Sequence, residues 1–424
     1  MWFLLTLACS FGIAQPRVAG GPIVDDEPRD TAPEVLDEPD PAPLVTEDAA
    51  PEFDDSDLAG WLFEIDRIHE IALTIPDPSV AALTAAPYEW APADVTLDGE
   101  PMNEIGVRLR GKIGSFRALT AKPKFKLSFN EFHEDARFYG LEELSLNNEV
   151  VDCSYMKEVI GYRIYEMMGV PSLRTAYAHV TVNGADYGLY VMVETPNDRW
   201  LARHYDDPSG NLYDGKYVWY GGWNYTLLDF GIGVDALYQL EEGTDVANAD
   251  IAAISTALLA TQGTADLYSG VGALVDWDNF HRLTAVDQLI GHADGYSMNT
   301  NNYRVYFDPS DGKADLLPWD LDYAFIYDYQ WGLSWAAPQG NLTAACWAHP
   351  DCAAAQKAAM TDLLERWEAR DPSAFLDAIE ALTYEATQAD PRRECAATDV
   401  QPTRDYVRAW LDAAPAAMRT WWGL

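Results

Sequence analysis

Polar and apolar positions alternate with a period of two in several short stretches of this chain. Successive side chains of a strand point to opposite faces, so this pattern predicts β-strands. Ile68–Ile75 (IHEIALTI), Ile105–Arg110 (IGVRLR) and Lys124–Phe129 (KFKLSF) are such stretches, and the last two are expected to bury one face. Val95–Leu97 adds a strand that ends at Asp98-Gly99, a pair that supplies the positive φ of a tight turn. Ala178–Val182 and Gly188–Glu194 flank Asn183-Gly184 and predict a hairpin. Tyr303–Phe307 and Lys313–Leu317 predict a second one. Asn211–Val218 (NLYDGKYV) reads as an exposed strand running into the aromatic, glycine-rich Trp219–Tyr225, whose rings either stack on a ligand or pack under a long loop.

Helical spacing takes over elsewhere. Apolar residues recur at that spacing through Ser154–Met168, with Asp152 or Ser154 placed as the cap and Gly169 just past the end. Trp277–Ile290 is amphipathic, and residues 355–424 read as helices in which Trp410, Trp421 and Trp422 pack. No internal repeat is present. With 424 residues, 48% apolar, the chain can bury a large core in one domain or two. The fold class is α+β.

Charge changes the picture at the N-terminal end. Of a formal net charge of −40, much sits in Asp25–Asp57, which holds 14 acids, six prolines and one Arg. Such a segment cannot bury enough apolar surface to fold, so residues 15–57 are expected to be a disordered acidic linker. Met1–Ala14 (MWFLLTLACSFGIA) is too short to span a bilayer and resembles a secretory signal, although it lacks a basic start. The surroundings of Cys9 partly resemble a lipoprotein cleavage site, so a lipid anchor there is an alternative to simple secretion into the medium or envelope. The acidity argues against nucleic acid and anionic membrane as partners, and favours a basic protein. Cys153, Cys346, Cys352 and Cys395 form an even set, which in an exported protein argues for two disulfides. Cys346 and Cys352 would close a small loop, leaving Cys153 with Cys395; buried thiols are the alternative.

The richest chemistry lies in Gly291–Phe325 (GHADGYSMNTNNYRVYFDPSDGKADLLPWDLDYAF). Asp294 and Asn299 are five residues apart, the spacing of a protein-kinase catalytic loop, and Asp320 and Asp322 follow the second hairpin. Hard oxygen donors from two loops suit Mg²⁺ carrying a triphosphate, and equally a Ca²⁺-stabilised loop or acids capping turns. No Gly-x-Ser-x-Gly, His-Glu-x-x-His or strand-linked Gly-x-Gly-x-x-Gly occurs, so serine-hydrolase, zinc-protease and dinucleotide readings lack support.

PWDLDYAF preceded by NTNNYRVYFD resembles the CotH kinase family, secreted atypical protein kinases. The IHEIALTI, VTLDGEPMNEIGVRLRGKIGS, KPKFKLSF, LSLNNEVVDCSYMKEVIGYRIYEMMGVPS and VTVNGADYGLYVMVE segments carry the resemblance over about residues 60–330. It implies a divergent protein-kinase-like fold in residues 58–424, with a mixed or antiparallel sheet lobe and a helical lobe. It also implies ATP and Mg²⁺ (or Mn²⁺) as cofactors, and transfer of the γ-phosphate to Ser or Thr of extracellular or envelope proteins. A non-catalytic surface or adhesion protein on the same fold is the alternative.

The resemblance carries roles to matching residues. Asp294 would deprotonate the acceptor hydroxyl, while Asn299, Asp320 and Asp322 would hold metal. Lys126 is the family's triphosphate lysine; Lys124 shares its strand face, with Lys122 near it and Arg108 and Arg110 on the adjacent strand. Glu158 would pair with a strand lysine, and Glu194 would end the hinge strand against the nucleotide. His292 supports the loop, and Asn301 and Asn302 pin its turn through side-chain-to-backbone bonds. The loop Gly111–Arg117 would approach phosphates with its backbone, Lys112 and Arg117 adding charge. Lys112 and Ile113 depart from the family pattern there.

Overall fold

The alternating stretches of the first half close on one another. The computed structural model describes residues 57–327, 332–370 and 372–424, so the N-terminal signal, Cys9 and all but the last residue of the linker lie outside the described residues. Seven strands form a closed barrel: β1 (Ile68–Thr74), β2 (Ala91–Leu97), β3 (Glu100–Arg110), β4 (Lys124–Ser128), β5 (Glu143–Asn147), β6 (Thr175–Val182) and β7 (Ala185–Glu194). Their order is β1-β2-β3-β4-β5-β7-β6, and a parallel β6–β1 pair, Ile68 opposite Tyr177, completes the ring. All other neighbours run antiparallel. Asp98 and Asn183 adopt positive φ at the two tight turns, as Asp-Gly and Asn-Gly pairs favour.

Side-chain parity sorts the barrel residues. Val107, Leu109, Phe125, Leu127, Leu144 and Leu146 fill the interior. Their neighbours on the outer face are Arg108, Arg110, Lys124, Lys126, Ser145 and Asn147. Arg108 lies opposite Lys126, and Arg110 opposite Lys124. β4 is buried on both faces, not one, because its polar outer face is covered as well.

A second sheet, ordered β11-β8-β12-β13, brings together β8 (Asn211–Asp214), β11 (Gln239–Glu242), β12 (Tyr303–Asp308) and β13 (Lys313–Pro318). Between β8 and β11 lies a small hairpin, β9 (Val218–Gly221) and β10 (Asn224–Thr226), on which Tyr220, Trp223 and Tyr225 are exposed. The aromatic loop is thus a hairpin.

A second core contains Tyr213, Val305 and Leu316 from this sheet, Tyr177, Leu189 and Val191 from the outside of the barrel, and the helices. The helix Lys157–Met167 belongs to it, starting three residues later than the pattern predicts. Before it, the Asp152 carboxylate accepts backbone N–H bonds from Ser154, Met156 and Lys157, which holds that stretch in a turn. The helix Trp277–Leu289 is capped by Asp276. The C-terminal part is helical, as Asn341–Ala348, Pro350–Ala369, Pro372–Ala389 and Ala397–Trp422. There the indole of Trp410 donates to Leu289 O and that of Trp422 to Gln288, whereas Trp421 is exposed. Both expected disulfides form, Cys153–Cys395 and Cys346–Cys352. Among the described residues no helix is long and apolar enough to cross a membrane.

Candidate active site

The helix Trp277–Leu289 ends in a turn that presents Asp294. Its carboxylate is held by three asparagine amides: Asn299 donates to Oδ1 at 2.6 Å, Asn301 and Asn302 to Oδ2 at 3.1 and 2.9 Å. Burial pushes the Asp294 carboxyl up to about 6, although these donors favour its ionised form. The amide of Asn302 also donates to the carbonyl of Asp320, at 3.1 Å. One amide nitrogen therefore joins the loop of Asp294 to the turn after β13. The expected side-chain-to-backbone bonds are present, Asn301 Oδ1 accepting from Tyr217 N–H and the Asn302 amide donating to Asp320 O, and both amides bind the Asp294 carboxylate as well.

Asp320 sits at φ +46, a left-handed conformation that costs a non-glycine residue some strain, and its N–H is held by the hydroxyl of Tyr162. Its carboxylate and that of Asp322 converge on one cation. Lys124 Nζ lies 3.1 and 3.2 Å from the two oxygens of Asp320 and 2.9 Å from Asp322 Oδ2. Burial disfavours the Lys124 ammonium, but the two aspartates and Glu158 outweigh it and raise its pKa. Burial beside Asp320 pushes Asp322 up to about 8, while Lys124 and Arg110 overcome burial at Asp320 and hold it low.

The lysine that reaches the acids is thus Lys124. Lys126, given the triphosphate role from the sequence, is one strand pitch further along and bound to Glu143 at 2.6 Å. Lys122 leaves that face altogether: its ammonium is buried against Asp390, Tyr155 OH and the Leu189 carbonyl. Arg110 donates to Asn147 Oδ1 at 3.3 Å. Glu158 closes no ion pair with either strand lysine. It accepts from Asn147 at 2.6 Å and from the Leu321 N–H at 3.3 Å, so it braces the turn carrying Asp320 and Asp322. Beside it, burial and then the Glu158 charge push the Glu149 carboxyl well above its usual value. Nothing in the spacing of Glu149 announced this.

Glu194 is committed elsewhere. Its buried carboxylate binds Arg174 at 2.7 Å and Arg203 at 2.6 Å, and these two arginines overcome burial to lower its pKa to about 2. It anchors the end of β7, which leaves no carboxylate oxygen free for a nucleotide. His292 is buried with its ring 3.4 Å from Asp287, in keeping with a supporting role.

The loop between β3 and β4 roofs the cleft. Gly114 has φ +88, and a Cβ there would come within 2.8 Å of the Tyr323 hydroxyl, so the backbone approaches this side chain as only glycine allows. Ile113 N–H donates to Tyr217 OH at 3.3 Å, and Tyr217 N–H to Asn301 Oδ1 at 3.1 Å, which ties the roof to the asparagine cradle. Arg117 is engaged by Glu394, and Lys112 lies over the Tyr217 ring.

A basic face on the barrel, a set of hard oxygen donors on the facing turns and a half-buried carboxyl near neutrality share one cleft. Asp320, Asp322 and Asn299 carry oxygen donors of the kind a divalent cation such as Mg²⁺ prefers, with Lys124 Nζ seated between the two carboxylates. The family model described as CotH kinase protein matches residues 107–412, a span that contains all of these groups. Inner spore coat protein H of Bacillus subtilis (strain 168) is 25% identical over 208 residues, 47% of this chain and 53% of that protein. The chain thus spans about half the length of the curated relative it matches. With cleft and matched span coinciding, the chain belongs to the CotH kinase family.

Proposed function

We propose that this protein is an exported kinase that transfers the γ-phosphoryl group of ATP to a Ser or Thr hydroxyl of another protein. The observation that carries this is the Asn302 amide, which joins Asp294 and Asp320 within one hydrogen-bond shell opposite Lys124. Phosphoryl transfer needs positioning and charge neutralisation more than covalent help. The bound Mg²⁺ supplies positive charge to the phosphates. Asp320, Asp322 and Asn299 are the residues suited to hold it, and Lys124 the one suited to the triphosphate. Asp294 takes the proton of the acceptor hydroxyl as its oxygen bonds to the γ-phosphorus and ADP leaves. A carboxyl near 6 is ionised at neutral pH yet basic enough for this task.

In this reading the barrel is the upper lobe of a kinase-like arrangement and the second sheet with its helices the lower one. Two disulfides and the export-like N-terminus support a location outside the cytoplasm, and the net charge of −40 supports a basic acceptor. The test is phosphate incorporation by the full chain from labelled ATP with Mg²⁺ or Mn²⁺ into a basic Ser-rich peptide. Activity is expected in the wild type and absent in Asp294→Ala and Asp320→Ala. An inactive wild type, or variants as active as it, would leave the non-catalytic adhesion reading.

A further inference from the structure

We propose that Arg304 is a phosphate-binding residue of the cleft, gripping the polyphosphate of the bound nucleotide from the second sheet as Lys124 does from the barrel. This rests on the kinase reading above and adds a residue that none of the sequence motifs singled out.

Arg304 lies on β12, opposite Asp214 of β8 and Leu317 of β13, on the side of the sheet away from Tyr213, Val305 and Leu316. It is 4% exposed, and its guanidinium carbon sits 4.3 Å from the centre of the Trp319 ring. The same ring receives Arg110 at 5.2 Å, and Arg110 pairs in register with Lys124. Trp319 immediately precedes Asp320, so the ring that carries Arg304 adjoins the cluster of Asp320, Asp322 and Lys124.

Two of its donor nitrogens have no acceptor. Nε and Nη1 of Arg304 are fully buried and have no hydrogen-bond acceptor. The carboxylate directly across the ladder, Asp214, is turned to Lys216, accepting from both its backbone N–H and its ammonium. Of the other cations nearby, Lys124 is paired with Asp320 and Asp322, Lys126 with Glu143 and Arg117 with Glu394, while Arg110 donates to the Asn147 amide oxygen and Lys112 lies over the Tyr217 ring. Buried guanidinium N–H groups without an acceptor are unfavourable, and the indole face and the nearby Asp214 charge offset only part of that. The arrangement is completed by an anion entering the cleft. A planar fork of N–H groups matches two oxygens of one phosphate, a fit that an ammonium lacks.

The rival is that Arg304 only packs on Trp319. Arg304→Met keeps an unbranched side chain over the indole and removes the fork. Thermal shift and titration calorimetry on the full chain, with Mg-ADP, Mg-tripolyphosphate and adenosine as separate probes, decide between them. Expected are an unliganded melting temperature no lower than wild type, Kd values for Mg-ADP and Mg-tripolyphosphate raised roughly ten- to hundredfold, and an unchanged response to adenosine. Should Arg304→Met not fold, Arg304→Lys keeps the charge without the fork, and its tripolyphosphate affinity is expected to fall. Unchanged tripolyphosphate affinity in whichever variant folds, with Asp320→Asn losing it, overturns the role of Arg304 and leaves the kinase reading standing. Equal loss for adenosine overturns the phosphate assignment. A wild type that binds neither phosphate probe overturns both readings.

Discussion

Among the described residues, Lys124 is the only ammonium paired with both Asp320 and Asp322, and Lys124→Met removes it. Lys124 is 1% exposed and Asp322 4% in its side chain, so the Asp322 oxygen facing it gains no water when the ammonium goes, whereas Asp320, 20% exposed, rehydrates in part. Breaking a buried pair from one side costs about 3–5 kcal/mol, because the remaining charge is left uncompensated. For a domain of this size that lowers the melting temperature by about 4–6 °C. Lys126→Met is the internal control. Its partner Glu143 is 23% exposed and can rehydrate, so a loss of only about 1–2 kcal/mol is expected. The assay is thermal unfolding with and without millimolar Mg²⁺, together with the Lys124→Met/Asp322→Asn double variant. A divalent cation can stand in for the lost ammonium, so Mg²⁺ should raise the melting temperature of Lys124→Met more than that of wild type. The double variant should cost less than the sum of its parts. Equal melting temperatures for Lys124→Met and wild type, or strict additivity in the cycle, would refute the account of a single buried cation balancing two acids.

Further outcomes are expected on the same grounds. If Asp294 is the base, kcat/KM should rise tenfold per pH unit up to about 6 and then level off. Removing a donor with Asn301→Ala should move that limb to higher pH; a profile flat from pH 5 to 8 would exclude Asp294 as the base. Because the folded value of Asp294 lies above 3.8, its contribution to stability is present below that pH and lost as pH rises to about 6, so Asp294→Asn should show a flatter stability profile over that window. Glu194→Ala should destabilise by about 1–3 kcal/mol, since Arg203 loses its carboxylate while Arg174 keeps Asp57, with Mg-ADP affinity unchanged in the fraction that folds. Cys395→Ser should cost roughly 2–5 kcal/mol, since it opens a loop of 242 residues, and chemical denaturation would report it.

How far the sequence led can be read from individual residues. The acids were legible because they follow a short hairpin: β12 and β13 pair in register from Tyr303–Pro318 to Asp308–Lys313, which delivers Asp320 to the loop of Asp294 by local geometry. Parity put Lys124 and Lys126 on one face, but it could not say which meets the acids. That depends on the stagger of β4 against a turn almost two hundred residues away. Glu194 and Glu158 were read from their place in strand and helix, while their partners, Arg174, Arg203, Asn147 and Leu321, come from other elements. The barrel was not legible either, because it closes through a parallel pair between β1 and β6, more than a hundred residues apart. Arg304 left no trace in the pattern: a charged residue in an alternating strand reads as solvent-facing, and only the tertiary fold buries it.

The segment from Asp390 to Cys395 bears on how the cleft can move. Asp390 holds Lys122 inside the barrel wall, Arg392 reaches the carbonyls of Thr120 and Asp186, Glu394 grips Arg117, and Cys395 is bonded to Cys153. The helix that follows is fastened to the end of the Asp294-bearing helix by Trp410 and Trp422. The chain's tail is therefore a strap buckled at both ends, which ties the barrel wall beside Lys124 to the helix that leads into Asp294.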